Sequence, residues 1–258
     1  RQRQMCIRDR ITNTNIKHFH ALKHKKYRHE HNQFLIEGKR IIDEAIKNNV
    51  IFDIVLYTES FKKYNPDFIE DLIEKEHRIE CLREQQIKKV TSTKTPSGIA
   101  AVCTFPETVQ LNFITNKWLY LDHISDPGNL GTLLRTAALF NIRNIALSPD
   151  SLDPYNQKVI RAGMGAHFHL EIHSDIDINI FIENQYYIVG ADHRGKPLTE
   201  LLVIPERWVL VLGGEAHGLS KAVNKKLDIT LSIPKSGSGE SLNVSVAGAI
   251  LMHQLSAK

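Results

Sequence analysis

Ile233-Pro-Lys-Ser-Gly-Ser-Gly-Glu-Ser-Leu-Asn-Val-Ser-Val-Ala-Gly-Ala-Ile250 is the stretch that indicates most about the fold. A β-branched run ends at Pro234, a loop with two glycines follows, and an apolar segment begins at Leu242. Glycine adopts positive φ angles and lets a backbone approach a ligand closely. Ser241 and Asn243 stand where the first N–H groups of a helix need partners. The stretch therefore predicts a strand, a flexible loop and a helix.

The helix predicted after this loop is apolar on nearly all sides from residue 244 to 255, so we expect it to be buried. Its longest apolar run is too short to cross a bilayer, no secretory signal is visible, and no membrane partner is expected. The three cysteines are far apart and form no C-x-x-C pair: Cys6, Cys81 and Cys103. This pattern argues against a disulfide framework or a zinc site and predicts a cytoplasmic protein.

A second loop carries polar groups in Asp126-Pro-Gly-Asn-Leu-Gly-Thr-Leu-Leu-Arg135, which follows a predicted strand. The Pro-Gly pair favours a turn, and Asn129 is predicted to cap a helix that opens near Gly131. Arg135 would then lie less than two turns into that helix, within reach of the loop. A surface ion pair is the alternative role for Arg135.

A third loop follows the apolar run of Val209-Leu-Val-Leu-Gly-Gly-Glu-Ala-His-Gly-Leu-Ser220. Open α/β sheets bind ligands at the carboxyl ends of their strands, where Gly213, Gly214 and Glu215 would lie. The spacing matches neither a dinucleotide fingerprint nor a P-loop. Glu215 as a simple helix cap is the alternative interpretation.

Alternating apolar segments predict two α/β parts joined by a linker at residues 106–116. Strands are expected at residues 33–36, 51–57, 78–82 and 98–104, then at 118–121, 144–147, 187–190, 208–212 and 229–233. Helices are expected at residues 38–47, 67–77 and 84–90, then at 131–140, 156–163, 219–225 and 242–255. The continuous apolar strands of the second part indicate a mostly parallel sheet covered on both faces.

The amino-terminal segment is strongly basic. Residues 1–30 hold nine Lys or Arg residues against two acidic residues, a net charge of +7, whereas the whole chain carries +4. Residues 1–10 are unlike the rest and are expected to be a disordered or non-native tail. Residues 12–30 are predicted to form a basic helix or arm that binds RNA. Its histidines lack the acidic or cysteine ligands of a metal site, so we expect no metal.

The three loops together resemble the motifs of a known family. Asn129-x-Gly131-x-x-x-Arg135, Gly213-Gly-Glu215-x-x-Gly218-Leu-Ser and Ile233-Pro…Ser241-Leu-Asn243-Val-Ser-Val-Ala resemble, in order and spacing, those of the SpoU (TrmH) branch of the SPOUT RNA methyltransferases. The resemblance covers residues 117–258. Lys235 and the Gly-Ser-Gly run at 237–239 stand where family members vary.

Residues 11–105 resemble the RNA substrate-binding domain of the same family, which is similar to ribosomal protein L30e. The matching runs are Lys25-Lys-Tyr-Arg28, Phe34-Leu-Ile-Glu-Gly38 and Thr95-Pro-Ser-Gly-Ile99. The resemblance therefore implies a small L30e-like α/β domain before a SPOUT α/β domain. It further implies a deep trefoil knot in residues 117–258 and a homodimer formed through that domain.

The resemblance also implies an S-adenosylmethionine-dependent enzyme that methylates a ribose 2′-hydroxyl in RNA. The favoured substrate is ribosomal RNA of the 23S type. The catalytic residues implied are Asn129, Arg135, Glu215, Ser241 and Asn243. The cofactor would contact Leu212, Gly213, Gly214, Ile233, Pro234, Ser241 and Leu242. RNA would contact Lys23, Lys25, Lys26, Arg28 and Arg135.

The chemistry of Arg135 constrains its role. A guanidinium keeps its proton at neutral pH and is therefore a poor base, so bidentate binding of a phosphate is favoured over proton abstraction. Glu215 is then a candidate contributor to deprotonation. The alternatives left open are a tRNA 2′-O-methyltransferase and a catalytically silent RNA-binding protein of this fold. A nucleotide-hydrolysing enzyme is disfavoured because neither a P-loop nor a metal-ligand cluster is present in the sequence.

Overall fold

The computed structural model describes residues 11–107, 110–200, 203, 205–214, 218–238 and 241–257 of the 258-residue chain. The predicted tail at residues 1–10 therefore lies outside the described part. The chain forms two compact units that divide after Pro106. In the described part, no helix is long and apolar enough to cross a membrane.

The first unit is a sheet with helices around it. Its strands are β1 (Gln33–Glu37), β2 (Phe52–Thr58), β3 (Ile79–Leu82) and β4 (Ile99–Thr104). Its helices are α1 (Asn13–Ala21), α2 (Lys25–His31), α3 (Lys39–Lys47), α4 (Glu59–Tyr64), α5 (Pro66–Glu74) and α6 (Glu84–Val90). The sheet order is β1-β4-β2-β3, with β4 antiparallel to both neighbours and β2 parallel to β3.

Every strand and helix predicted for this unit is present, with ends displaced by up to three residues, and residues 12–30 form two helices instead of one. The apolar faces of α1 and α6 share one buried cluster with the sheet. The prediction missed α4, in which Phe61 is the buried residue. The Thr58 hydroxyl accepts the Phe61 N–H at 3.2 Å and starts this helix, although its apolar pattern is too short to be recognised.

Arg28 closes the turn between α1 and α2. Its side chain is only 1 % exposed, and Nη1 donates to the carbonyls of Leu22 and Lys23 at 2.9 Å each. Carbonyls at the end of a helix have no partner within the helix, so the guanidinium satisfies them. Arg28 is therefore not available to RNA in this structure, contrary to the prediction.

The second unit alternates strands and helices. Its strands are β5 (Lys117–Asp122), β6 (Asn144–Leu147), β7 (Glu171–His173), β8 (Tyr187–Pro197), β9 (Trp208–Gly213) and β10 (Ile229–Ser232). Its helices are α7 (Pro127–Leu139), α8 (Gln157–Gly163), α9 (Asn179–Glu183), α10 (Lys221–Asn224) and α11 (Val244–Ser256), with 3-10 turns at Ala166–His169 and Leu198–Glu200. The described strands form one sheet in the order β10-β8-β9-β5-β6-β7, and all neighbours are parallel.

The predicted parallel sheet with two covered faces is confirmed. Side chains of β5 alternate between two buried clusters: Leu119 and Leu121 lie in one, and Trp118 and Tyr120 lie in the other. The prediction missed β7 and α9. Both are short, and the residues of β7 are only half-buried at the edge of the sheet, so they lack the continuous apolar pattern of a central strand.

Two glycines allow helices to pack closely around the strand ends. A Cβ at Gly131 of α7 would lie 2.5 Å from Ala162 Cβ and 2.6 Å from the Val159 carbonyl oxygen of α8. A Cβ at Gly248 of α11 would lie 2.6 Å from Leu133 of α7 and 2.8 Å from Leu212 of β9. Real Cβ atoms essentially never approach this closely. The close packing of α7 against α8 and α11 therefore requires glycine at both positions.

Gly131→Ala should lower the free energy of unfolding by about 1–3 kcal/mol, because the new methyl group meets the backbone of α8. Urea unfolding followed by circular dichroism measures this change. Gly237→Ala is the matched control, since its Cβ would have no described neighbour within 4 Å. Equal stabilities of the two variants would contradict the packing argument.

Candidate active site

Helix α7 begins four residues earlier than predicted. Asp126 is its N-cap, and Asp126 Oδ1 accepts the Asn129 N–H at 2.8 Å. Pro127 occupies the first helical position, where the N–H that proline lacks would have no partner anyway. The prediction that Asn129 caps a helix opening near Gly131 is therefore wrong. Because Asp126 does the capping, the Asn129 side chain is left for another contact.

That contact joins two segments that are distant in sequence. Asn129 is only 9 % exposed, and its Oδ1 accepts a hydrogen bond from Asn243 Nδ2 at 3.0 Å. Asn243 is the N-cap of α11, as its position predicts, and its Oδ1 accepts the Ser245 N–H at 2.9 Å. The starts of α7 and α11 are therefore fixed together by their two amide side chains.

Arg135 lies farther along α7 than the sequence suggested. It is the ninth residue of the helix, more than two turns from the start, at an axial rise of about 9 Å from Asn129. Side chains on a helix lean toward its amino terminus, so a long guanidinium side chain can still extend back along α7. Arg135 is exposed, and it makes no hydrogen bond or ion pair with any residue that the structure describes.

The loop after β9 depends on backbone proximity. A Cβ at Gly213 would lie 2.2 Å from the Gly218 carbonyl carbon, so only glycine fits there. Gly214 and Gly218 form an antiparallel bridge, and Gly218 has a φ of +64°, which glycine adopts without strain. Glu215, predicted to be catalytic, lies outside the described residues.

Asp122, at the end of β5, holds this glycine loop at both ends. Its carbonyl accepts the Gly214 N–H at 3.1 Å, and its carboxylate Oδ2 accepts the Ser220 N–H at 2.6 Å. The second carboxylate oxygen lies 2.7 Å from His123 Nδ1. Asp122 is 1 % exposed. Asp122 was not predicted as a site residue, because it follows the predicted strand directly and its burial is visible only in the structure.

The carboxyl ends of β8, β9 and β10 and the start of α11 enclose a cavity of about 850 Å³. All seven residues predicted to contact the cofactor line it: Leu212, Gly213, Gly214, Ile233, Pro234, Ser241 and Leu242. Asn243 also lines the cavity and contacts Asn129. Arg135 does not line it. The structure thus gathers the second and third motifs around one cavity and joins the first through the Asn129–Asn243 bond.

Three consecutive polar residues that line this cavity were not predicted from the sequence. Asp192, His193 and Arg194 line it from the end of β8, which runs seven residues beyond the predicted end at Gly190. Two hydrogen bonds of 2.9 and 2.8 Å join the Arg194 guanidinium to Asp192. This guanidinium lowers the pKa of Asp192 to about 2. The signal was the polar run that directly follows a buried strand.

The predicted RNA-contacting lysines of the first unit differ in exposure. Lys25 and Lys26 are exposed on α2. Lys23 is half-buried and donates to the Lys89 carbonyl at 3.0 Å, and burial lowers its pKa. Lys25 and Lys26 are therefore the two predicted lysines that face solvent.

In the described part of the chain, no group of three or more His, Cys, Asp or Glu side chains could hold a metal ion.

Asp122→Ala should loosen the glycine loop, because it removes the charged acceptor of the Ser220 N–H. A hydrogen bond to a charged group contributes about 1.5–3 kcal/mol, so amide hydrogen exchange at Ser220 should accelerate about tenfold or more. His123→Ala is the control, since it leaves the bond to Ser220 in place. Exchange at Ser220 that does not change in Asp122→Ala would show that the carboxylate does not hold the loop.

Comparisons with known proteins match both units of the chain to protein families. Residues 116–253 match the model of the SpoU rRNA Methylase family, and residues 13–101 match that of the MRM3-like substrate binding domain. The chain is 35 % identical to the Bacillus subtilis protein named 23S rRNA (guanosine(2553)-2'-O)-methyltransferase RlmP, over 94 % of this chain and 96 % of that protein.

Two solved structures share the fold. A protein of the TrmH family from Porphyromonas gingivalis is 28 % identical, with a TM-score of 0.81 over 95 % of this chain and 98 % of that one. The SpoU methyltransferase AviRb from Streptomyces viridochromogenes, solved with the cofactor AdoMet, is 21 % identical and shows the same fold, with a TM-score of 0.81 over the same shares of the two chains. The predicted fold class is thus confirmed, and the chain belongs to the SpoU rRNA methylase family.

Proposed function

We propose that this protein transfers a methyl group from S-adenosylmethionine to a ribose 2′-hydroxyl of ribosomal RNA, with RNA of the 23S type as the favoured substrate. The observation that carries the proposal is the cavity beside the Asn129–Asn243 hydrogen bond. It places a ligand-sized space next to the buried amide of Asn129 and the exposed amide of Asn243, at the starts of α7 and α11. Membership of the SpoU family supports the reaction class.

The cavity fits the methyl donor in size and chemistry. At about 850 Å³ it lies within the range of small-molecule sites, about 300–1,000 Å³. Apolar side chains such as Ile233 and Leu242 suit the adenine ring, and Gly213 lines the same cavity. When bound, S-adenosylmethionine supplies a sulfonium methyl group that is already activated. The protein then has to position the ribose hydroxyl and help it to lose its proton.

The positions of the polar residues support a role for each of them. Arg135, which is exposed and always charged, binds an RNA phosphate through its two-pronged guanidinium. Asn129 and Asn243 orient the ribose, and Ser241 completes the polar wall of the cavity. Glu215 stays the candidate for accepting the proton of the hydroxyl.

The proposal includes three features of the assembled enzyme. The segment from β10 to α11 is threaded through a loop as a deep trefoil knot, and the reaction takes place in the cytoplasm. The third feature is a homodimer.

A second copy covers the apolar residues that α7 and α11 expose. These two helices pack against each other and leave Leu139, Val246 and Ile250 exposed by 78 %, 47 % and 38 %. Exposed apolar residues grouped on neighbouring elements are typical of protein interfaces.

The first unit is proposed to bind the RNA substrate. Its match to a substrate binding domain and the exposed Lys25 and Lys26 support this role. Phosphate contacts by lysines position RNA without selecting sequence. Ribosomal RNA is favoured over tRNA because the relative RlmP is named for 23S rRNA, and the match covers nearly the whole length of both proteins.

Arg135→Ala should abolish methyl transfer while leaving cofactor binding intact, because Arg135 lies outside the cavity lining. The assay uses tritiated S-adenosylmethionine and unmodified ribosomal RNA, followed by alkaline hydrolysis. A 2′-O-methyl group makes the adjacent phosphodiester resistant to alkali, so the wild type should leave label in alkali-stable dinucleotides. Calorimetry with S-adenosylhomocysteine gives the binding readout.

Thr132→Ala, which changes another exposed residue of α7, is the matched control and should keep its activity. Loss of cofactor binding in Arg135→Ala would contradict the proposed position of Arg135. A wild type that binds RNA but transfers no label would favour the catalytically silent alternative.

Replacing Lys25 and Lys26 with alanine should weaken RNA binding and reduce its dependence on salt. Each lost phosphate contact lowers the slope of log K against log salt concentration by about 0.7–0.9. Binding titrations at several salt concentrations measure the slope. Lys47→Ala is the control, since Lys47 is held by Asp43 at 3.2 Å. A slope equal to that of the wild type would show that α2 does not contact phosphates.

A further inference from the structure

Residues 191–195 bulge out of the pairing between β8 and β10. Thr230 pairs with Gly190 and the next residue, Leu231, pairs with Lys196, so the five residues of β8 between them have no partner in β10. A β-bulge next to a functional site changes the direction in which side chains point. This bulge brings Asp192, His193 and Arg194 to the cavity wall.

Fixed contacts hold the bulge in place. The Ser232 hydroxyl donates to the Gly195 carbonyl at 2.8 Å, and a Cβ at Gly195 would lie 2.6 Å from the Thr230 carbonyl oxygen. Asp192 Oδ1 also accepts the backbone N–H of Arg194 at 2.9 Å. The bulge is therefore built into the strand and bonded at both its tip and its end.

The tip of the bulge presents an ordered pair of opposite charges. Arg194 Nε and Nη2 donate to the two oxygens of Asp192 at 2.9 and 2.8 Å. A guanidinium has five N–H donors, so three others remain for a ligand. The Arg194 side chain is 73 % exposed and that of Asp192 is 19 % exposed, so the guanidinium is open to an incoming anion.

The rest of the described wall is nearly free of charge. Ionisable side chains line the cavity at Asp192, His193, Arg194 and Lys235, whereas the other described lining residues are apolar, amide, hydroxyl or glycine. S-adenosylmethionine has an adenosine end and a zwitterionic α-amino acid end. If the apolar wall binds the adenosine end, the zwitterion must face the charged part of the wall, since burying it elsewhere leaves its charges unpaired.

We infer that the bulge is a recognition site for an α-amino acid group, in which Arg194 binds the carboxylate of the cofactor and Asp192 faces its ammonium group. This inference rests on the proposed function and assigns one end of the cofactor to two residues outside the three motifs. The Arg194 and Asp192 side chains already hold each other in place, so they lose little conformational entropy when they bind a ligand whose charges are complementary to theirs.

Two ligands separate this role from a general effect on the cavity. S-adenosylhomocysteine carries the α-amino acid group, and 5′-methylthioadenosine has the same adenosine end without it. In calorimetry, Arg194→Ala should weaken binding of S-adenosylhomocysteine about tenfold and leave binding of 5′-methylthioadenosine unchanged. Arg194→Lys keeps the charge but loses the planar two-pronged geometry, so it should fall between the wild type and Arg194→Ala.

Lys235→Ala is the matched control, because it removes a positive charge from another part of the same wall. It should leave the ratio of the two affinities as in the wild type. An equal loss for both ligands in Arg194→Ala would overturn the inference, because the bulge would then contact the adenosine end. Unchanged affinities for both ligands would overturn it as well. If the wild type itself bound neither ligand, the proposed cofactor would be wrong and the inference would fail with it.

Discussion

The hydrogen bond between Asn129 and Asn243 is the constraint on which the site depends. It joins residues 114 positions apart at the first turns of two helices. Each helix start has N–H groups without a partner, and a different side chain satisfies them in each case. Asp126 caps α7 and leaves the Asn129 side chain for a tertiary contact, whereas Asn243 caps α11 through its oxygen and uses its nitrogen to reach Asn129. One amide thus serves both local and distant structure.

The cavity beside this bond exists because several positions have no side chain. Gly131 and Gly248 bring α7 close to α8, α11 and β9, and Gly213 lets the glycine loop fold back on itself. Asp122 then fixes that loop with two hydrogen bonds from opposite ends. A buried carboxylate needs such partners to remain stable, so the same contacts that satisfy Asp122 also shape the wall of the cavity.

The sequence predicted the sheet of the second unit because buried parallel strands leave strong apolar patterns. The resemblance to the SpoU family supplied seven of the residues that line the cavity. It did not predict the start of α7, since asparagine and aspartate cap helices equally well and proline suits both a turn and a first helical position. It missed the bulge of β8 because polar residues after an apolar strand also indicate a loop. It misjudged Arg28, whose charge suggested exposure, because only the tertiary structure shows the carbonyls that it satisfies.

A double-mutant cycle on Asn129 and Asn243 tests most directly whether the two helix starts act as one site. The quantity measured is kcat/KM for methyl transfer in the wild type, Asn129→Ala, Asn243→Ala and the double variant. If the two amides act through their shared hydrogen bond, the double variant should lose no more activity than the worse single variant. Losses that multiply would show that the residues act independently, and would contradict the account of a site assembled by this contact.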